Sequence, residues 1–391
     1  MPAGAMSKKR IRKQRAKKVR KENFFDYNLL AAVIILICFG LVMLYSASAY
    51  ESTSNFEGND MYYFLRQAMF SAGSLVLALF VSRFDYHHYE KLALLLYVVA
   101  FLLMGAVRFT PLGKTVNGAR RWLSLGIFSF QPSEIAKIAV IIMTAVVLSK
   151  MGAEVQRIRG MLTVLAVGGI QCLGAFVLTD NLSTALIILG ICAIMMLLVR
   201  PDNRKVWIFI AGVALIIAGL LIYMHGHMED SSDFRLRRIM VWMAPDKYLA
   251  DGGYQVMQGL YAIGSGGFFG KGLGNSTQKL STIPEAQNDM IFSIICEELG
   301  LFGAILVLLL FGYLLYRLFV IAQNAPDLFG RLIVCGVFIH IALQVILNIC
   351  VVLNVIPTTG VTLPFVSYGG TSVIFLMIEI GMALNVSRQI T

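Results

Sequence analysis

The stretch from Ile283 to Gly300 places ionisable side chains beside an apolar run. It reads IPEAQNDMIFSIICEELG and contains the carboxylates Glu285, Asp289, Glu297 and Glu298. Ionised groups are rare in hydrocarbon, and those that occur there mark functional interiors or pair with one another. Asp289 lies where the apolar run begins, a shallow position that suits a general base meeting a substrate from outside. The structural alternative for Asp289 is a helix N-cap.

Glu297 and Glu298 lie deeper in the same apolar run. On a continuous helix Glu297 is ~12 Å below Asp289 and about 80° around the axis. That separation is too large for a site of two paired carboxylates. We therefore predict that Glu297 and Glu298 are neutralised by partners from other helices, and we leave the role of Glu285 open.

A second pair of charges opens another apolar run, in the segment QPSEIAK. Pro132 fits the first position of a helix, and Glu134 lies in the first turn, where the helix dipole favours an anion. Lys137 follows three residues later and shares a helix face with Glu134. The pattern predicts either a buried ion pair or two residues that line a site.

The composition is that of a membrane protein. Of 391 residues, 58% are hydrophobic and 14% are charged, which excludes an ordinary soluble globular protein. Apolar runs of about 20 residues can cross the hydrocarbon core. We predict an all-α polytopic fold with ten transmembrane helices, at residues 28–48, 63–82, 92–107, 132–150, 161–179, 183–199, 206–224, 289–316, 331–351 and 371–388.

Basic residues set the predicted orientation. Residues 8–21 hold ten Lys and Arg within fourteen positions, which by the positive-inside rule places the N-terminus in the cytoplasm. We predict a basic cytoplasmic tail at residues 1–27 and a single transmembrane domain at residues 28–391. Ten crossings return the C-terminus to the cytoplasm, with a large extracytoplasmic loop between helices 7 and 8.

Three loops are predicted on the extracytoplasmic side, at residues 108–131, 225–288 and 354–372. The first loop has no acidic residue but four cations, namely Arg108, Lys114, Arg120 and Arg121. The second is rich in glycine, which allows close backbone approach and anion-binding turns. Such loops around membrane-embedded carboxylates fit an anionic amphiphile with its headgroup outside and its tail in lipid.

The sequence lacks the motifs of several common enzyme classes. The sequence has no Walker loop, no GxGxxG after a strand, no Ser/His/Asp order and no HExxH, so ATP-driven and nicotinamide chemistry have no support. The six cysteines show neither metal spacing nor a disulfide framework. From the residues alone a transporter ranks ahead of an enzyme.

Four stretches resemble the SEDS family (shape, elongation, division and sporulation), the FtsW/RodA/SpoVE group of peptidoglycan glycosyltransferases. They are VNGARRWLSLGIFSFQPSEIAK, RLRRI, GGYQVMQGLYAIGSGGFFGKGLGNSTQKLSTIPEAQNDMIFSIICEELGLFG and NVIPTTGVTLPFVSYGGTS, and they cover most of the chain from Val116 to Arg388. The form TGVTLPFVSYGGTS, with the basic tail, is more similar to FtsW and SpoVE than to RodA. The resemblance reverses the ranking and puts the enzyme first.

The resemblance implies a polymerase of lipid II on the outer face of the cytoplasmic membrane, serving cell division or sporulation. By motif, Asp289 matches the family's essential acidic residue, and Glu134 with Lys137 matches the QPSE..K pair. We expect the departing pyrophosphate to bind cations, because arginine matches phosphate oxygens bidentately. The predicted substrate-binding set is Glu134, Lys137, Arg120, Arg121, Arg235, Arg238, Lys271 and Ser367, the last from the SYGG motif.

The resemblance also implies partners. These are the growing glycan strand, a class B penicillin-binding protein that crosslinks it, and the division machinery, with no nucleic acid. The expected location is the bacterial cytoplasmic membrane at the division septum. A divalent cation (Mg or Mn) bridging the pyrophosphate to Asp289 is the one cofactor considered, although the sequence shows no dedicated ligand cluster.

One motif departs from the family. Where the family usually shows P-D-L-G-T, this chain has Asp180, Asn181, Leu182, Ser183 and Thr184. The position of the family's aspartate is thus Asn181, with Asp180 beside it.

Two other functions are compatible with a polytopic membrane protein of this kind: a lipid II flippase, and a division scaffold without catalysis. A flippase cannot make glycan polymer in detergent, and a scaffold does not need Asp289.

Overall fold

A computed structural model describes residues 25–55, 59–116, 118–126, 128–199, 234–280 and 283–390. The predicted helical architecture is confirmed for these residues. Eleven α-helices are present in them: α1 (Tyr27–Asn55), α2 (Tyr62–Val81), α3 (His87–Phe109), α4 (Pro132–Met151), α5 (Ile158–Leu173), α6 (Leu182–Val199), α7 (Phe234–Met243), α8 (Gly253–Gly266), α9 (Ile291–Asn324), α10 (Leu328–Val352) and α11 (Ser372–Arg388). A π-helical turn, Gly174–Leu178, extends α5.

Seven of the described helices are long and apolar enough to cross a membrane: α1, α2, α3, α5 with its extension, α6, α9 and α10. α4 and α11 coincide with the fourth and tenth predicted spans, but α4 carries charges in its first turns and α11 has 17 residues. The predicted span at residues 206–224 and residues 1–24 of the basic tail lie outside the described residues. The count of ten spans stays a prediction.

Helices α4 and α10 lie at the centre of the bundle. α4 contacts α3, α5, α6 and α10, and α10 also contacts α6, α9 and α11. The two central helices approach closely where Gly336 faces Ile141, because a Cβ added at Gly336 would lie 2.5 Å from the Ile141 side chain. The site described below forms at one end of this packed centre.

A small antiparallel sheet, absent from the prediction, occupies the first outer loop. Its strands are β1 (Gly113–Val116), β2 (Ala119–Leu125) and β3 (Phe128–Phe130), in the order β1-β2-β3. Gly113 pairs with Leu123, which in turn pairs with Phe130. Leu123 and Phe130 pack with Val107 of α3 in a separate apolar cluster, which fixes the sheet to the end of that helix.

The loops predicted inside and outside gather at opposite ends of the bundle. At one end Arg121 of β2 donates to the carbonyl of Asp180, and Ser183 donates to the carbonyl of Thr359. At the other end Lys150 pairs with Glu90, and Arg317 pairs with Asp26. This arrangement fits the predicted division of the loops between two sides of a membrane.

Helix α9 starts later than predicted and is interrupted. It begins at Ile291, and Gly300 within it has φ 65° and ψ −161°, a backbone region that favours glycine. The break frees backbone groups that then bond to the segment after α8: Lys271 and Gly272 donate to the carbonyls of Glu297 and Glu298, both at 2.9 Å. Leu301 and Phe302 donate to the carbonyls of Gly267 and Phe268.

The crossing of α8 and α9 requires glycine at Gly266. A Cβ there would lie 1.9 Å from the carbonyl oxygen of Cys296. We expect Gly266→Ala to lower the free energy of unfolding by about 1–3 kcal/mol or more. The clash is with backbone atoms of α9, which cannot move aside as the end of a flexible side chain can. The measurement is the melting temperature of the protein in detergent.

Gly264 provides the matched control, since it lies on the same helix with no heavy atom within 4 Å of the added Cβ. Gly264→Ala should be neutral, or stabilising by roughly 0.5–1 kcal/mol through helix propensity. Equal melting temperatures for the two variants would show that the crossing is not tight.

Candidate active site

A cavity of about 890 Å³ opens among the loops at the outer end of the bundle. All three predicted outer loops contribute to its wall, through Lys114 and Arg121 of the sheet, Gln255 of α8, and the backbone around Gly360. The central helix α4 adds its first turn. The cavity thus lies where the sequence places the headgroup of an anionic amphiphile.

Asp289 lines this cavity from the turn before α9. The N-cap of α9 is Met290, so the alternative that Asp289 caps the helix is wrong. Its side chain is half-buried, with one carboxylate oxygen 3.4 Å from the side-chain amide nitrogen of Gln255. A Cβ added at Gly360 would lie 3.9 Å from the other oxygen, so this carboxylate faces the third loop.

Asn348 of α10 fixes the position of Asp289. Its side-chain amide donates to the backbone carbonyl of Asp289 at 2.8 Å and to that of Val361 at 2.7 Å. Asn348 is fully buried. One side chain therefore joins the turn before α9 to the loop after α10, and the aspartate is held by its backbone while its carboxylate is left to the cavity.

The environment of Asp289 disfavours its ionised form. Burial raises the pKa of Asp289 to about 6, and the negative charge of Glu285 adds to that shift. A backbone hydrogen bond and the positive charge of Arg238 act in the opposite direction. A carboxylate with a pKa near 6 is ionised at neutral pH and is a stronger base than an exposed aspartate.

Glu134 and Lys137 also line the cavity, on the first turns of α4. The Lys137 ammonium lies 2.9 Å from the Glu134 carboxylate, and the side chains are 2% and 9% exposed. The sequence left open whether these residues pair or line a site; in the structure they pair, and both line the cavity. The pair is locally neutral and presents polar atoms to the cavity.

Two of the predicted arginines reach the cavity. Arg121 and Arg238 line it, and Arg238 donates to the carbonyl of Thr358 at 3.3 Å. Burial lowers the pKa of Arg121, and repulsion from Arg238 lowers it further, which indicates that the two guanidinium groups are close. Both arginines are half-buried, and two such guanidinium groups in one cavity form a suitable binding site for phosphate oxygens.

Three other residues of the predicted substrate-binding set lie outside the cavity, and the side chain of a fourth is not described. The Arg120 guanidinium donates to the carbonyl of Thr110 at 2.6 Å. Lys271 pairs with Glu297, and the Ser367 hydroxyl accepts from the backbone N–H of Leu363. None of these three lines the cavity. The side chain of Arg235 lies outside the described residues.

Glu297 and Glu298 are fully buried and neutralised, as predicted, but mainly by a loop. Lys271 lies 2.6 Å from Glu297, and Lys279 lies 2.7 Å from Glu298. Ser46 of α1 donates to Glu298 at 2.7 Å. Among the described residues, the partners from other helices are Ser46 and Ser265 of α8, whose hydroxyl donates to Glu297 at 3.5 Å.

Asn181, which stands at the position of the family's aspartate, caps α6. It directly precedes α6, and its side-chain oxygen accepts from the backbone N–H of Thr184 at 3.1 Å. Asparagine and aspartate are about equally good N-cap residues. Asn181 also lines the cavity, where its amide is neutral and an aspartate would be charged.

Several lining residues were missed from the sequence. They include Arg66, Arg237, Gln255, Gln344 and Tyr368. Arg66 had a usable signal, since a cation inside a predicted span marks a functional interior. The amides of Gln255 and Gln344 had none, because a glutamine in a helix shows no pattern that tells a cavity wall from a buried hydrogen bond.

The site has no dedicated set of metal ligands. The described residues contain no group of three or more His, Cys, Asp or Glu side chains arranged for a metal ion. Beside Asp289, the other nearby carboxylate is Glu285, which accepts from the Asn288 amide at 2.8 Å. The divalent cation stays a prediction, and no step below depends on it.

Comparisons with known proteins agree on one family. Residues 27–391 match the family described as "Cell cycle protein", which groups FtsW, RodA and SpoVE. The chain is 37% identical over 369 residues to stage V sporulation protein E of Bacillus subtilis, covering 93% of this chain and 97% of that protein. It is 36% identical to a probable peptidoglycan glycosyltransferase FtsW of Trichlorobacter lovleyi, covering 93% of each.

Solved structures show the same fold. A chain from work on structural coordination of polymerization and crosslinking by a peptidoglycan synthase complex superposes with a TM-score of 0.77 at 27% identity, covering 93% of this chain and 98% of that one. The rod shape determining protein RodA of Thermus thermophilus superposes with a TM-score of 0.66 at 26% identity, covering 94% and 97%.

The buried Glu134–Lys137 pair yields a stability test. Lys137→Met leaves the Glu134 carboxylate without its partner, and we expect the free energy of unfolding to fall by about 3 kcal/mol. The double variant Glu134→Gln/Lys137→Met should recover most of that loss.

The control is Lys150→Met, which breaks a largely exposed pair with Glu90. It should lower the free energy of unfolding by less than about 1 kcal/mol. Equal losses for the two single lysine variants would contradict a stabilising role for the pair.

Proposed function

The chain belongs to the FtsW/RodA/SpoVE family and is a multi-pass membrane peptidoglycan glycosyltransferase, and from this premise we propose that it polymerises lipid II in the cavity around Asp289. Asp289 acts as the general base. The observation that carries the proposal is this half-buried carboxylate, whose pKa is raised to about 6 and which faces a large cavity beside Arg238.

The proposed reaction is one displacement at the anomeric carbon. The 4-hydroxyl of the acceptor sugar gives its proton to Asp289, and its oxygen forms a bond to C1 of the lipid-linked donor sugar. The bond from C1 to the pyrophosphate oxygen breaks, and its electron pair leaves with the lipid pyrophosphate. The configuration at C1 is inverted, and no covalent sugar-enzyme intermediate forms.

Arg121 and Arg238 stabilise the departing pyrophosphate in this proposal. Both line the cavity, and the charge of Arg238 acts on Asp289. Fixed cations in a poorly solvated site stabilise charge as it develops. The neutral Glu134–Lys137 pair offers hydrogen bonds to the sugar or peptide of the substrate. Support for Arg120, Lys271 and Ser367 as direct ligands is weak, because each is bonded elsewhere.

We place the enzyme in a division or sporulation complex with a class B penicillin-binding protein that crosslinks the new strand. Support comes from its similarity to proteins named FtsW and stage V sporulation protein E, and to a chain of a complex that couples polymerization to crosslinking. Location at the septum is part of this proposal. Co-purification with the cognate transpeptidase from membranes tests the pairing.

Replacement of the base tests the mechanism. Asp289→Asn keeps the shape of the side chain but cannot accept the proton, so we expect the rate of polymerisation to fall ~10²–10⁴-fold. The measurement is glycan polymer made from lipid II by purified protein in detergent, where a flippase or a scaffold makes none. Asp246→Asn, an exposed acid of the same loop, is the control and should retain the wild-type rate. Near wild-type polymerisation by Asp289→Asn would rule out its role as base.

The pH dependence provides a second test. A general base works only when deprotonated, so kcat/KM should fall as the pH drops below about 6, the pKa of Asp289. Glu285→Gln removes a negative charge that raises this pKa, and the midpoint should therefore move to lower pH.

The measurement is the initial rate over a pH series that brackets the midpoint. Glu154→Gln, at an exposed position between α4 and α5, should leave the profile unchanged. A midpoint that is the same with and without Glu285 would show that this carboxylate does not act on the base.

A further inference from the structure

Besides Arg121 and Arg238, the cavity wall carries another cation that has no role in the proposed reaction. Arg66 of α2 lines the cavity and is half-buried. Its guanidinium contacts the Tyr62 hydroxyl at 3.0 Å and lies 5.9 Å from the centre of the Phe70 ring. In the described part of the chain no carboxylate forms an ion pair with it.

The N-terminus of α11 lies beside Arg66. Gln67, the next residue on α2, bonds through its side chain to the carbonyl of Ser367 and to the N–H of Gly370, at 3.5 and 3.3 Å. These two bonds fix α2 against the loop that leads into α11. The 17-residue helix directs the positive end of its dipole at the same part of the cavity, and helix N-termini bind phosphate groups.

Thr371 supplies an independent sign of a ligand. It is the N-cap of α11 but makes no capping bond, and it lines the cavity. Its side chain is 4% exposed, and within the described residues its hydroxyl has no hydrogen-bond partner. A buried hydroxyl without a partner is costly, and an anionic oxygen held between Arg66 and the helix end would satisfy it.

We infer that Arg66, Thr371 and the N-terminus of α11 bind the pyrophosphate of the acceptor. This inference rests on the proposed function, because polymerisation joins two molecules that each carry a lipid pyrophosphate. The departing pyrophosphate is attached to the carbon under attack and lies beside Asp289, with Arg121 and Arg238. The acceptor's own pyrophosphate is one disaccharide away from the hydroxyl that attacks, so it needs a separate place in the same cavity.

The surroundings of Arg66 suit the lipid part of that substrate. Leu65 and Met69 of α2 are 49% and 69% exposed, which is typical of side chains that face lipid. A polyprenyl chain can therefore lie along α2 while its pyrophosphate reaches Arg66. The shared chemistry is a lipid-linked phosphate, so a membrane phospholipid is the competing source and needs its own arm of the experiment.

The test is a binding titration of the purified full-length protein in detergent with undecaprenyl pyrophosphate, by calorimetry. The wild type should bind two equivalents. Arg66→Gln and Arg238→Gln should each bind one, and the Thr371→Val variant should bind at the second site about tenfold more weakly. Arg83→Gln, an exposed arginine just beyond the other end of α2, is the matched control and should still bind two.

Kinetics give a second readout on the same variants. Arg66→Gln should raise KM for lipid II about 10- to 100-fold and leave kcat within a few-fold, because a charge-assisted contact made equally before and during reaction affects binding alone. Arg66→Lys should recover most of the loss, since lysine also binds phosphate as a point charge. A purely structural role for Arg66 would instead lower the melting temperature without this recovery.

Several outcomes would overturn the inference. They are a wild type that binds one equivalent, an Arg66→Gln protein that still binds two, and a second site that phosphatidylglycerol fills and undecaprenyl pyrophosphate does not displace. Failure of the proposed base is distinguishable from all of these. If Asp289→Asn still polymerised lipid II, the mechanism would fall, whereas the number of bound equivalents, measured without turnover, would be unaffected.

Discussion

Two carboxylates in the interior of α9 govern the shape of the site. Glu297 and Glu298 are fully buried, and an uncompensated charge at such a position costs several kcal/mol. Lys271 and Lys279 provide the compensation from one loop. The loop between α8 and α9 is therefore held against α9, because leaving it would strand both charges. The break at Gly300 adds backbone hydrogen bonds to the same contact.

The position of Asp289 follows from that contact. The loop is fixed at Lys271 and Lys279, and the short stretch that remains before α9 carries Asp289. Asn348 of the central helix α10 then holds this stretch from the other side. Asp289 is thus positioned without charged partners in direct contact in the described part of the chain, and its carboxylate is available to a substrate. The residues read as structural from the sequence are the ones that place the residue read as catalytic.

Local patterns were enough to predict the helices and to single out carboxylates that the structure places in one cavity. The length of an apolar run and the place of a charge within it are properties of a few neighbouring residues, and both identified Asp289 and the Glu134–Lys137 pair. Which residue a loop side chain contacts in the folded protein depends on parts of the chain that are distant in sequence. Ser46 meets Glu298 across 252 positions, and no local signal tells whether Lys271 faces a substrate or Glu297. The same limit explains why the sheet was missed and why Ser367 was not expected to bond to the backbone of Leu363.

The two hydrogen bonds that the Asn348 amide donates to the backbone have a consequence for the entropy of the proposed reaction. A loop that must become ordered whenever substrate arrives loses conformational freedom at each turnover, and that loss raises the barrier. Here the ordering of the turn at Asp289 and of the loop at Val361 takes place once, when the chain folds. A single neutral side chain keeps two distant parts of the backbone in register, and the proposed base is in position before its substrate arrives.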